Sequence, residues 1–197
     1  MATAAPPKLD DRILEAGRVV LREYGYDGAT AERIAREAGL TRVTLHRRGV
    51  SKDTVLAQFA ERATDQYRAA MWPAVMAAGS GFERLQLALS ALCDSAEDNL
   101  DLLVAIRAQS DRFFHEEDAE PLTRSVFTEP LERLLRDGAA DGSLRTDIDP
   151  VEHATVLFNL VGWTYIHMRT GHHWPPGRAA SAVLDIALNG LRAPPPR

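Results

Sequence analysis

The chain has 197 residues but a single cysteine, Cys93, so no intrachain disulfide is possible and a reducing compartment is its natural home. Cys93 stands among Leu85, Leu89 and Leu92, a setting for a buried inert thiol rather than a redox sensor. No apolar run approaches the about 20 residues that span a bilayer, and the N-terminus has no charged-then-apolar leader. These absences predict a soluble, cytoplasmic protein. No segment alternates with period two and no repeat is visible, which removes sheet and solenoid architectures. There is no Gly-x-Ser-x-Gly elbow and no phosphate-cradling glycine loop, since Gly25 to Gly28 lies between two helical patterns rather than after a strand. Paired cysteines are missing too. His115-Glu-Glu-Asp118 and His172-His173 therefore read as polar loops rather than metal ligands. No catalytic residue, cofactor or metal is expected.

What is present centres on Gly39-Leu-Thr-Arg-Val-Thr-Leu-His-Arg-Arg48. Before it, Ala31, Ile34, Ala35 and Ala38 recur at helical spacing. Gly39 suits the left-handed residue that closes that helix, and Leu40 returns the chain to the core. Thr41 is placed to cap a second helix with its hydroxyl. Two helices joined by a short turn containing glycine make a helix-turn-helix. Leu45 points back to the first helix. Arg42 with His46, and Val43 with Arg47, are four apart and share the opposite face, the face suited to a DNA major groove.

Charge supports this locally and not globally. The whole chain carries 23 Lys+Arg against 28 Asp+Glu. From Arg33 to Lys52, however, Arg33, Arg36, Arg42, Arg47, Arg48 and Lys52 face only Glu37. A basic island on an acidic body suits a protein that grips phosphates with one end. Thr30 is placed to cap the first helix of the motif and to reach a phosphate. Ser51 is placed to cap a long helix bearing Val55, Leu56, Phe59, Ala63 and Tyr67 on one stripe, with Lys52 in its first turn, where a phosphate is favoured.

The segments Ile13-Leu-Glu-Ala-Gly17, Tyr24-Gly-Tyr-Asp-Gly-Ala-Thr30, Ile34-Ala-Arg-Glu-Ala-Gly-Leu40 and Ser51-Lys52 resemble the N-terminal domain of tetracycline-repressor (TetR) family regulators. The resemblance covers about the first third of the chain. It implies an all-α protein: a three-helix helix-turn-helix DNA-binding head, then a helical ligand-binding and dimerisation body. One departure stands out. After the recognition-helix Leu the family usually has Tyr, two polar or basic residues and Phe, whereas this chain has His46, Arg47, Arg48 and Gly49. Two readings of it stay open. Either His46 takes the tyrosine's place at a phosphate, or it merely packs, with Gly49 leaving the helix end loose and Val50 filling the gap left by Phe.

The head is expected over residues 8–55, with the start of the connecting helix, and the body over 56–192. Residues 1–7 and 193–197 read as flexible tails. The first helix is expected to bury Ile13, Gly17, Val20, Leu21 and Tyr24 and to end at Gly25. Trp72-Pro73 and Gly79-Ser-Gly81 break the pattern, which sets the junction between Tyr67 and Gly81. DNA contacts are expected from Thr30, Thr41, Arg42, Val43, Thr44, His46, Arg47 and Lys52. Trp72, Phe113, Phe114, Trp163, Tyr165 and His167 are candidates for a pocket that takes a small apolar or aromatic effector. The last two helices are apolar over more than one face. That pattern predicts a homodimer seam of Phe158, Gly162, Val183, Leu184, Ala187, Leu188 and Leu191, and the resemblance implies the same use of those helices. The expected function is a transcription regulator, a repressor that leaves a roughly palindromic DNA operator when the effector binds. A helical enzyme, or an adaptor whose degenerate motif no longer binds DNA, is the alternative.

Overall fold

The computed structural model describes residues 9–107 and 126–192. Among them every regular element is an α-helix, as the periodicity predicts. In chain order these are α1 (Asp11–Gly28), α2 (Ala31–Glu37), α3 (Arg42–Arg47), α4 (Lys52–Met76), α5 (Gly81–Asp98) and α6 (Leu100–Arg107), followed by α7 (Glu129–Asp141), α8 (Pro150–Thr170) and α9 (Pro176–Asn189). They form two compact units, and the division falls inside α4, between Ala63 and Thr64. Phe113, Phe114, the His115–Asp118 run and both expected tails lie outside the described residues.

The first unit is α1 to α3 with the opening turns of α4, and residues 101–107 cluster with it. Asp10 caps α1, its carboxylate accepting from the Ile13 amide at 2.9 Å. Ile13, Leu14, Ala16, Gly17, Val20 and Leu21 form its buried face. A Cβ on Gly17 would stand 2.5 Å from Cγ1 of Val55, so the absent side chain is what lets α1 lie against α4. Tyr24 does not join this face. The helix breaks at Gly25 (φ 65°, ψ −178°), which turns the last segment away and leaves Tyr24 37% exposed, its ring stacked under the Arg33 guanidinium.

In the second unit, α5 packs on α7, α8 and α9, and α8 packs on α7 and α9. Trp72-Pro73 does not interrupt α4, which continues through Pro73 to Met76. Pro73 lacks an amide, so the Ala69 carbonyl loses its intrahelical partner, and the helix runs only three residues further. The break comes at Gly79 (φ 120°), before the Ser80–Glu83 capping box that starts α5. The Ser80 hydrogen bonds hold the Glu83 carboxyl below the usual carboxylate range. At this end α5 touches α7 backbone to backbone. A Cβ on Gly81 would meet the amide nitrogen of Gly138 at 2.2 Å. The Gly81 amide donates to Asp141 at 2.6 Å and the Phe82 amide to the Ser143 hydroxyl at 3.0 Å. At the other end Arg169 of α8 grips Glu97 of α5 through Nε (2.8 Å) and Nη2 (2.7 Å), and the Tyr165 hydroxyl donates to the same carboxylate at 2.8 Å. Burial, then this carboxylate, pushes the Tyr165 hydroxyl above its ordinary range. Cys93 is buried and desolvation pushes its thiol up to about 12, which keeps it in the unreactive protonated form.

Candidate nucleic-acid interface

The helix-turn-helix is built by two consecutive uses of the same local chemistry. Thr30 starts α2, its hydroxyl accepting from the Arg33 amide at 3.3 Å. Thr41 starts α3 by accepting from the Thr44 amide at 3.1 Å. Each helix ends on a left-handed glycine, Gly39 (φ 61°) and Gly49 (φ 68°). After α2, the Leu40 amide reaches the Ala35 carbonyl at 2.8 Å and the Gly39 amide reaches Arg36 at 3.1 Å. After α3, the Val50 amide reaches Leu45 at 3.1 Å and the Gly49 amide reaches His46 at 2.9 Å. This double bond pattern closes a helix firmly. The expectation that Gly49 leaves the end of α3 loose is therefore corrected: without a Cβ, Gly49 adopts the conformation that fixes that end. Val50 is buried, at the place expected for the missing Phe.

Leu45 is fully buried and anchors α3. Arg42, Val43, His46 and Arg47 all face outward, Val43 at 68% exposure, as the four-residue spacing predicts. Thr44 is half-buried, its hydroxyl 2.9 Å from that of Thr41. Ser51 starts α4 reciprocally with Thr54: the Thr54 amide donates to the Ser51 hydroxyl at 3.1 Å, and the Ser51 amide donates to the Thr54 hydroxyl at 2.8 Å.

Several cations of the basic island already have partners. Nη1 of Arg42 donates to Glu32 at 2.6 Å, and Nη1 of Arg48 to Asp10 at 2.8 Å. Arg33 donates to the Gly28 carbonyl and covers Tyr24, which fixes the α1–α2 corner. The Lys52 ammonium sits 3.8 Å from the Tyr26 ring centroid and donates to the Tyr26 carbonyl at 3.3 Å. The side chains of His46 and Arg47 make no ion pair or hydrogen bond among the described residues. Glu32 and Asp10 lie outside the window in which the island was counted, so their pairing was not legible from charge order.

Among the described residues, the pocket candidates of the second unit stand in different surroundings. Trp72 is 63% exposed on α4, and His167 is exposed on α8 with its ring 5.1 Å from that of His172. Tyr165 is buried and committed to Glu97, and Trp163 is half-buried. A ring cluster not singled out from the sequence is formed instead by Tyr67, Phe127 and Phe158, with centroids 5.1, 6.2 and 5.3 Å apart. The Tyr67 hydroxyl donates to the Phe127 carbonyl at 2.8 Å. Burial pushes that hydroxyl above its ordinary range. The residues expected at a dimer seam are mostly consumed within the chain: Gly162, Val183, Ala187, Leu188 and Leu191 are buried and Phe158 and Leu184 half-buried. The apolar side chains left outside on α8 and α9 are Val156, Leu160 and Ile186.

A short helix pinned at both ends, turning its cations outward from a second helix crossed beneath it, defines a helix-turn-helix DNA-binding domain. Residues 13–59 match the model of the family of bacterial regulatory proteins, tetR family. Over that segment the chain is similar to the regulators of that family, which are DNA-binding transcription factors and not enzymes. No curated protein matches it in sequence. Among solved structures, the TetR family regulator PfmR from Thermus thermophilus is similar at 22% identity, covering 96% of this chain and 99% of that one with a TM-score of 0.74. The ketosteroid transcriptional regulator KstR2 of Mycobacterium tuberculosis is similar at 19% identity, covering 97% and 100% with a TM-score of 0.71. A tetR-family regulatory protein from Rhodococcus RHA1 is similar at 19% identity, covering 93% and 96% with a TM-score of 0.75. At these identities the likeness is one of fold.

Proposed function

We propose that this chain is a homodimeric repressor that reads an operator through α3 and leaves it when a small apolar or aromatic molecule binds the second unit. The observation that carries the DNA-reading part is α3 itself: six residues fixed by Thr41 and Gly49, one side chain buried, and Arg42, Val43, His46 and Arg47 turned outward. Arg42 and Arg47 suit guanine edges, and Val43 suits a thymine methyl. Thr30, Thr41, Thr44 and Lys52 suit phosphates. A two-fold pair of such heads requires half-sites about one helical turn, or a multiple of it, apart. In place of the buried seam read from the sequence, Val156, Leu160 and Ile186 are the side chains we assign to the dimer contact. The apolar class of effector is supported by the Tyr67–Phe127–Phe158 rings, and one structural relative is named a ketosteroid transcriptional regulator.

The test is selection of duplexes from a random pool, then binding by titration. Replacing Arg42 or Arg47 with Ala is expected to relax preference at one position, costing about 1–3 kcal/mol there. Lys52→Ala is expected to weaken all sequences alike and flatten the salt dependence. Equal losses on selected and random DNA for all three variants would overturn the base-reading assignment. For the effector, linkage demands that DNA weaken its binding by the factor by which it weakens DNA binding. Equal effector affinity with and without operator would exclude release through this unit.

A further inference from the structure

We infer that Glu32 is a positioning residue that makes Arg42 a reader of base edges rather than a grip for phosphate. The inference rests on the DNA-reading role of α3 proposed above. Glu32 stands in the first turn of α2 and Arg42 opens α3, ten residues on. The carboxylate accepts from Nη1 of Arg42 at 2.6 Å while the two side chains stay 60% and 71% exposed. A pair so exposed adds little to stability. Its consequence lies in what the guanidinium can still do.

A carboxylate on the face that meets DNA is unfavourable for general affinity, because it repels the phosphates that supply most of that affinity. Here it is tied to one nitrogen of a five-donor fork. With Nη1 committed to Glu32, the edge formed by Nε and Nη2 remains, and two parallel N–H groups match the N7 and O6 acceptors of guanine. A phosphate approaching the same fork would have to displace the carboxylate or lie against it. Glu32 therefore penalises Arg42 at the backbone and leaves it competent at a base edge. It also restrains a side chain that otherwise loses rotamer entropy on docking. Arg48 is tied comparably by Asp10, but from the C-terminal end of α3, away from the first turn that enters the groove.

The test uses the full chain, a duplex selected by the wild type from a random pool, and an unrelated duplex, each titrated by fluorescence anisotropy at several salt concentrations. Glu32→Gln is expected to raise affinity for the unrelated duplex and to steepen its salt dependence by about one phosphate contact. The ratio of selected to unrelated affinity should fall about tenfold. In an Arg42→Ala background the same substitution should leave the ratio unchanged. An equal shift on both duplexes, or an equal fall of the ratio in the Arg42→Ala background, would reduce Glu32 to a bulk charge and overturn the inference. Failure of the wild type to select any sequence would overturn both this role and the DNA-reading function. Selection by the wild type with an unaltered Glu32→Gln would remove this role alone.

Discussion

Ile186 on α9 is 72% exposed, Val156 58% and Leu160 40%, and their replacement separates a subunit contact from the chain's own core. Burying an isoleucine completely stabilises by about 1.5–3 kcal/mol, so a side chain nearly three-quarters exposed has about 1–2 kcal/mol still to gain. In a two-fold interface each side chain counts twice. Loss of both copies of Ile186 should therefore cost about 2–4 kcal/mol, which raises the dimer dissociation constant about 30- to 1,000-fold. Ile186→Glu adds the cost of bringing a charge into the contact. Sedimentation velocity over a concentration series reads the shift directly. Leu188→Glu provides the contrast, because Leu188 is 7% exposed within its own chain. Its substitution should lower the thermal midpoint, and not simply yield folded monomer. A wild type that stays monomeric at micromolar concentration, or an Ile186→Glu variant with an unchanged constant, would refute the assignment.

Gly81→Ala should destabilise by about 1–3 kcal/mol, because its Cβ would meet the Gly138 backbone at 2.2 Å; an unchanged thermal midpoint would exclude that close approach. Arg169 above all holds the Glu97 carboxyl below its ordinary value of 4.5, so the stability this pair adds is complete above that value and is lost as pH falls below it, through the lowered one. The difference in midpoint between wild type and Glu97→Gln should accordingly be largest near neutrality and shrink in acid; a constant difference would count against the pairing. His46 is exposed on α3, and a protonated imidazole donates charge-assisted hydrogen bonds to phosphate. His46→Ala should weaken binding to selected and unrelated duplexes alike and flatten its salt dependence, while His46→Tyr, which keeps a donor, should retain more of the affinity; an unchanged affinity in His46→Ala would remove His46 from the phosphate contact.

The head was legible because its signals are local. Thr30, Thr41, Gly39 and the periodic Ile34 and Leu45 act on neighbours within a few residues, and each acts in the structure as its spacing predicts. Tyr24 was misplaced because periodicity carries a helical face past a break, and Gly25 turned the chain first. Trp72-Pro73 misled in the opposite direction, since Pro73 costs α4 one bond, at the Ala69 carbonyl, without stopping the helix. The pairing of Glu32 with Arg42 joins residues on different helices, a relation that a count of charges along the chain does not contain. On α8 and α9 composition revealed a surplus of apolar surface but not its division between two sides. Val183 and Leu188 went to the chain's own core and Ile186 to the outside, and only the packing of α9 against α5 and α8 decides which.

The two identical stops, at Gly39 and Gly49, have a consequence for how such a protein changes partners over time. They and the threonines before each helix set where α2 and α3 begin and end without reference to the outward side chains. Only Leu45 within α3 is spent on the interior. The positions of Arg42, Val43, His46 and Arg47 can be exchanged one by one while the helix keeps its length, its orientation and its anchor. On the proposed reading by α3, target preference and foldability are carried by separate residues of one six-residue segment, and a lineage can retarget the first without endangering the second.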